Sequence, residues 1–195
     1  MGALPKAEAN RRYTYADYKS WELKEGERWE LIRGEAFAMA GPNFRHQAIS
    51  GGIFLQLANY LEGKPCRAIY APFDVRLFHE EELGEGDDTV VQPDIMVVCD
   101  KSRIGEEGIR GAPDLVIEIL SPSNTAIEME EKHDLYEAAG VREYWVVNPK
   151  KNTVTVYCLQ ADGVFSGKIY KAADTVPVGV LPGFSIGLER VFAEV

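Results

Sequence analysis

Two apolar runs, VVQPDIMVVC at 90–99 and LVIEIL at 115–120, constrain the fold more than any other feature of the chain, because each encloses a single acid. Near-continuous stretches of β-branched and aliphatic residues mark strands covered on both faces. Asp94 and Glu118 sit inside those stretches. Acids are depleted in strands, and a buried carboxylate without a partner costs several kcal/mol. Each therefore needs a cation, a basic side chain, or water at the end of a sheet.

The surrounding pattern supplies the rest of an α/β (α+β) domain. Thr14 and Asp17 stand at N-cap and N3 spacing ahead of a short helix. The runs 29–32 and 35–40 flank Arg33-Gly34 and predict a hairpin. Residues 43–61 read as a helix with Ile49, Ile53, Leu57, Tyr60 and Leu61 on one stripe. Gly51 and Gly52 weaken that helix, unless they let it approach a sheet closely. Strands are expected at 73–78, 90–99 and 115–120, with the acidic segment HEEELGEGDD (79–88) as a solvated connection. A second helix follows SPSNT, with Thr125 and Glu128 at capping-box spacing and Gly140 as its stop. EYWVVN, a turn at 149–152, and strand-like pieces at 153–159, 165–170 and 184–188 complete the chain. The unit at 115–148 fits a right-handed strand–helix–strand crossover, so the central sheet is expected to be mixed and flanked by helices.

At 195 residues the chain is expected to form one domain, 1–195, with 1–12 as a tail. Acids outnumber bases by 31 to 21, giving a net charge of −10 and arguing against a generally basic, DNA- or membrane-coating surface. Cys66, Cys99 and Cys158 are odd in number and form no CxxC pair, so they read as reduced thiols. The N-terminus lacks the apolar core of a signal peptide, and no stretch is long enough to span a membrane. The expected location is the cytoplasm. P-loop, GxGxxG, GxSxG and HExxH patterns are absent.

Asp94 and Glu118 on neighbouring strands would suit a hard divalent ion such as Mg²⁺, which favours oxygen ligands. The plainer alternative for each is a strand-end acid or a buried salt bridge. Lys132 lies four residues from both Glu128 and Tyr136, so the three share one helix face. It is either half of a Glu128–Lys132 helix pair or a cation aimed at the carboxylates, able to stabilise charge growing on a phosphate.

The segments ERWELIRGEAFAMAGPNFRHQAISGGIFLQLANYL, VVQPDIMVV, PDLVIEILSPSN and KHDLYEAAGVREYWVVNP, in that order, resemble the Uma family of restriction-endonuclease-like proteins, a branch of the PD-(D/E)XK nuclease superfamily. The resemblance runs from about Tyr15 to Phe192. It implies a restriction-endonuclease-like fold and a Mg²⁺-dependent endonuclease acting on DNA, with Mn²⁺ as a possible substitute and a homodimer as the assembly. Pro93-Asp94 matches the first part of the superfamily motif and Glu118 the second. Leu120 stands where the lysine usually follows; the family lysine on the next helix matches Lys132. The resemblance thus assigns Asp94, Glu118 and Lys132 as catalytic and Asp94 and Glu118 as metal ligands, with the Ile119 carbonyl as a further donor. Pro113-Asp114 reads as a strand-entry turn. His46 and Glu35 match frequent family positions but stay outside the expected catalytic set, as does Glu128, where the family usually has Asp. The competing class is a catalytically silent nuclease-fold module that binds nucleic acid or protein. On this reading Lys132→Met is expected to remove activity while sparing stability.

Overall fold

A computed structural model describes residues 11–79, 86–121 and 126–193. Helix α1 (Tyr15–Lys19) opens with the expected capping box: Asp17 N–H donates to the Thr14 hydroxyl, and the Asp17 carboxylate accepts from Thr14 N–H. Strands β1 (Arg28–Ile32) and β2 (Glu35–Met39) form the expected hairpin. Its two turn residues, Arg33 and Gly34, have φ of 48° and 77°, as a two-residue turn between twisted strands requires. Most of the expected tail at 1–12 lies outside the described residues. Arg11 pairs with Asp17 and Arg12 with Glu35.

Helix α2 (Phe44–Leu61) buries Ile49, Ile53, Leu57 and Leu61. Tyr60 is only half-buried, its ring stacked on Phe184. Gly52 does not face a sheet: an added Cβ would meet Val191 at 3.6 Å, while one on Gly51 would meet nothing. The strands that follow are β3 (Arg67–Tyr70), β4 (Val75–Arg76), β5 (Val90–Val91), β6 (Ile95–Val98), β7 (Ile109–Arg110) and β8 (Leu115–Ile119). Then come α3 (Ala126–Ala138), β9 (Glu143–Asn148), β10 (Thr153–Leu159), β11 (Phe165–Lys171), β12 (Thr175–Pro177), β13 (Ser185–Gly187) and α4 (Leu188–Phe192). Gly140, at φ 78°, ends α3 as expected. The Thr125 cap expected for this helix lies outside the described residues.

The large sheet has the order β11-β10-β9-β8-β6-β3 and is mixed, because β8 and β9 run parallel across the α3 crossover. A second sheet, β2-β1-β5-β4-β7, contains the N-terminal hairpin, and β12-β13 form a third. The period of two along each strand divides the core. Ile95, Val97, Ile117, Ile119 and Trp145 pack with the α2 stripe, α4 and β12-β13. Met96, Val98, Val116 and Tyr144 pack with Leu135 and Tyr136 of α3 and with Val75, Val91 and Ile109 of the second sheet.

The run 90–99 is not one strand. It breaks at Gln92-Pro93-Asp94, and its halves β5 and β6 belong to different sheets. Pro93 cannot donate to a ladder, and Gln92 N–H turns aside to the Glu30 carboxylate. The carbonyl of Asp94 accepts from Ala71 N–H. The chain crosses between sheets here, and Asp94 stands at the crossing. The 73–78 run likewise shortens to β4.

Two further expectations are corrected. Cys66 and Cys99 form a disulfide instead of remaining thiols, leaving Cys158 as the free cysteine. Register explains it: Arg67 lies opposite Val98 in antiparallel β3 and β6, so the next pair outward is Cys66 and Cys99. The acidic 79–88 connection is not uniformly solvated, since Asp87 is buried against Arg76 and His79; residues 80–85 lie outside the described residues.

Gly108 precedes β7 with φ 149°, and an added Cβ would sit 2.6 Å from the Asp74 carbonyl oxygen. Gly108→Ala should therefore destabilise the protein by more than about 1 kcal/mol, read from chemical denaturation. An unchanged midpoint would show that the Asp74 segment gives way freely.

Candidate active site

Glu118 occupies β8, a central strand of the large sheet, with its side chain on the face that α3 covers. The register pairs Ile95 with Ile117, so Asp94 comes alongside the Glu118–Ile119 end of β8. Ile119 N–H donates to Asp94 Oδ2 at 2.7 Å. Asp94 and Glu118 are thus neighbours across one strand spacing.

Helix α3 is seated by Leu135 and Tyr136, which are fully buried. Lys132 lies one turn before Tyr136 on the same face, and its Nζ is 2.9 Å from Glu118 Oε1. The Tyr136 hydroxyl donates to that same oxygen at 2.7 Å. Lys132 is 4% exposed, which rejects the solvated Glu128 pair as its main role.

A residue that sequence reasoning passed over completes the cluster. Glu30 of β1 is buried, and both of its carboxylate oxygens lie 3.0 Å from Lys132 Nζ. Its Oε1 also accepts from Gln92 N–H at 2.9 Å. The signal was present: Glu30 sits between Trp29 and Leu31 in a strand, the criterion that singled out Asp94 and Glu118.

His46 Nε2 lies 3.1 Å from Asp94 Oδ2, and its Nδ1 is buried without a hydrogen-bond partner among the described residues. The turn that places it is the α2 N-cap, where Asn43 accepts from His46 N–H. Glu35 lines the site from the hairpin, and Glu128 lines it from α3. Asp114 lies at the other end of β8, where it accepts from Cys99 N–H and pairs with Arg142, as befits a strand-entry residue.

The charges are strongly coupled. Burial pushes the Glu118 carboxyl up to about 7 from its ordinary 4.5; Asp94 and Glu30 add to this and Lys132 opposes it. Burial alone would lower the Lys132 ammonium, but the Glu118 and Glu30 carboxylates raise it above its ordinary value. Burial, reinforced by Glu118, raises the Tyr136 hydroxyl well above its usual range, so it stays a donor.

A raised carboxyl gives a definite sign. The folded chain keeps a proton on Glu118 that the unfolded chain releases, so this contribution to stability is complete below about pH 4.5 and is lost as pH rises through about 7. In EDTA, the thermal midpoint of the wild type should fall across that window relative to Glu118→Gln. Parallel pH curves for the two proteins would contradict the assignment.

These side chains open on a cavity of about 400 Å³ between the hairpin, the start of α2, the end of β8 and α3. Among the described residues, no group of three His, Cys, Asp or Glu side chains is arranged to enclose a metal. The donor chemistry nevertheless suits Mg²⁺, which is commonly held by one or two carboxylates with water and substrate phosphate completing the shell. Asp94 and Glu118 each commit one oxygen to protein partners, while Asp94 Oδ1 and Glu118 Oε2 carry no hydrogen bond among the described residues.

Comparison with known proteins agrees with this architecture. The family model Uma2, described as "Putative restriction endonuclease", matches residues 15–189. An uncharacterized protein of Synechocystis sp. is 24% identical over 177 residues, covering 90% of this chain and 89% of its own. The crystal structure of a protein from Anabaena variabilis, titled a "putative nuclease belonging to DUF820", superposes with a TM-score of 0.73 at 21% identity, covering 93% of this chain and 98% of that one. The likeness in fold extends over nearly the full length of both molecules. With the family model spanning almost the whole of the described fold, the chain belongs to the Uma2 family of restriction-endonuclease-like proteins.

Proposed function

We propose that the protein is a Mg²⁺-dependent endonuclease that hydrolyses DNA phosphodiester bonds, with Mn²⁺ able to substitute. The observation that carries this reading is the meeting of Asp94, Glu118 and Lys132 at one cavity from three separate elements. Asp94 Oδ1 and Glu118 Oε2, with the Ile119 carbonyl, would hold the ion. When bound, it supplies polarisation of the phosphate and a water of lowered pKa.

The chain's own groups do the remainder. The Lys132 ammonium donates toward the attacking water or a phosphoryl oxygen and offsets the growing negative charge. Glu30 and Tyr136 fix its surroundings: Glu30 grips the ammonium with both carboxylate oxygens, and Tyr136 holds Glu118 Oε1 in place. His46 and Ile119 N–H orient Asp94 so that Oδ1 is left for the cavity.

The silent-module reading also has an observation in its favour. The cavity is lined by Glu30, Glu35, Asp94, Glu118, Glu128 and Glu131 against Arg28 and Lys132 as fixed cations. Such a lining repels phosphate unless metal ions offset it. The test is cleavage of plasmid and single-stranded DNA by purified protein in Mg²⁺, Mn²⁺ or EDTA. Cleavage in either metal and none in EDTA supports the enzyme; DNA binding without cleavage in any condition supports the module.

The homodimer and the cytoplasmic location belong to the same proposal. Two-fold assembly is the commonest oligomer, and sedimentation checks it directly. The Cys66–Cys99 bond removes the cysteine argument for the cytoplasm, so that location rests on the proposed encounter with DNA.

A further inference from the structure

At the end of β8 remote from Glu118, a second cavity of about 590 Å³ gathers Arg103, Arg110 and Arg142 around Gly111 and Pro113. They come from three separate segments: the short turn after β6, strand β7, and the residues after α3. In a chain of net charge −10, this concentration of guanidinium groups is unusual. Among the described residues, Asp114 is the one carboxylate lining the cavity.

Two of the guanidiniums are held in place. Arg103 donates to the Ala112 carbonyl at 2.9 Å, reaches Asp100 at 3.5 Å, and lies beside Gly111, where an added Cβ would stand 3.8 Å from its Nη1. Arg142 donates to Asp114 Oδ1 at 3.0 Å. Arg110 is exposed and makes no hydrogen bond or ion pair among the described residues, so its donors are uncommitted. His79 also lines the cavity, its Nδ1 turned to Asp87.

We infer that this cavity binds a phosphate monoester dianion. A guanidinium presents a planar fork of donors that matches phosphate oxygens, and prepositioned forks lose little freedom on binding. The cavity does not extend a nucleic-acid track from the first site. Helix α3 lines the first cavity through Glu128, Glu131 and Lys132, the second cavity begins just past its end at Ala139, and its exposed Glu130, Glu131 and Asp134 would repel a duplex laid along it. The ligand is therefore a compact anion: a free phosphate compound, or the terminal 5′-phosphate of a strand.

Calorimetric titration of the full chain tests this with inorganic phosphate, a nucleoside monophosphate, and an oligonucleotide with and without a 5′-phosphate. The expected result is saturable one-to-one phosphate binding, weakened about tenfold or more in Arg110→Gln through loss of charge-assisted hydrogen bonds. Lys132→Ala, if folded, or Asp94→Asn should retain it, which separates this cavity from the first. A 5′-phosphate-dependent gain by the oligonucleotide, lost in Arg110→Gln, would identify a strand end as the source; equal binding of the small phosphates alone would identify a free compound. Absence of saturable binding in the wild type, or binding unaffected by Arg110→Gln, would overturn the inference. Arg110 is exposed on a two-residue strand, so its replacement leaves the fold intact.

Discussion

Lys132→Met should cost the protein both its activity and a large part of its stability. Lys132 is buried, and its ammonium is the common partner of Glu30 and Glu118. Removing it leaves two carboxylates facing each other in the interior, and breaking a buried pair in this way typically costs about 3–5 kcal/mol. That is a large share of the roughly 5–15 kcal/mol by which domains are stable. The expectation from sequence, that methionine would preserve stability, fails because it took no account of Glu30. Turnover at a temperature where the variant is folded should fall about 10²–10³-fold, as for loss of one well-placed electrostatic contact. The double variant Glu30→Gln/Lys132→Met should regain part of the stability and none of the activity. Urea denaturation and single-turnover cleavage read the two effects separately. A Lys132→Met protein with the wild-type midpoint would refute the buried bridge.

Asp94→Asn should separate the two effects: cleavage lost, fold retained. The asparagine side-chain carbonyl can still accept from Ile119 N–H, so the strand-end contact survives. What disappears is one anionic oxygen donor. If that donor supplies about 4 kcal/mol of metal-assisted stabilisation, the rate falls about 10³-fold. Wild-type cleavage by folded Asp94→Asn would exclude Asp94 as a ligand.

Much of this site was legible because its residues break a local rule. An acid inside an apolar run is a costly choice, and the sequence displays two: Glu118 does lie within strand β8, whereas Asp94 stands just before β6, at the break in its run. Helical spacing sets Lys132 and Tyr136 on one face but leaves a Glu128 pair and a site cation both open; the family resemblance selects the second, and the packing of Tyr136 decides which way that face looks. Glu30 escaped notice because its strand lies in a hairpin and carries Arg28 and Glu30 among its apolar residues, a pattern that permits an outward acid. Only the docking of the second sheet over α3 buries it, and that contact joins residues 102 positions apart. The break at Gln92-Pro93-Asp94 was hidden by the apolar residues on both sides, although Pro93 was the available warning. The Cys66–Cys99 bond depends on the register of β3 and β6, which residue spacing does not reveal. His46 was visible as a helix-start histidine, but its contact with Asp94 depends on where α2 begins relative to the sheet.

Manganese binding tests the central claim most directly, because it does not depend on finding the right DNA sequence. Electron paramagnetic resonance of Mn²⁺ titrated into the wild type should show one saturable site, with Mg²⁺ competing for it. Asp94→Asn and Glu118→Gln should each abolish that site while keeping the wild-type circular dichroism spectrum. Undiminished Mn²⁺ binding in both folded variants, or none in the wild type, would contradict the assignment of these two carboxylates as the metal-holding pair.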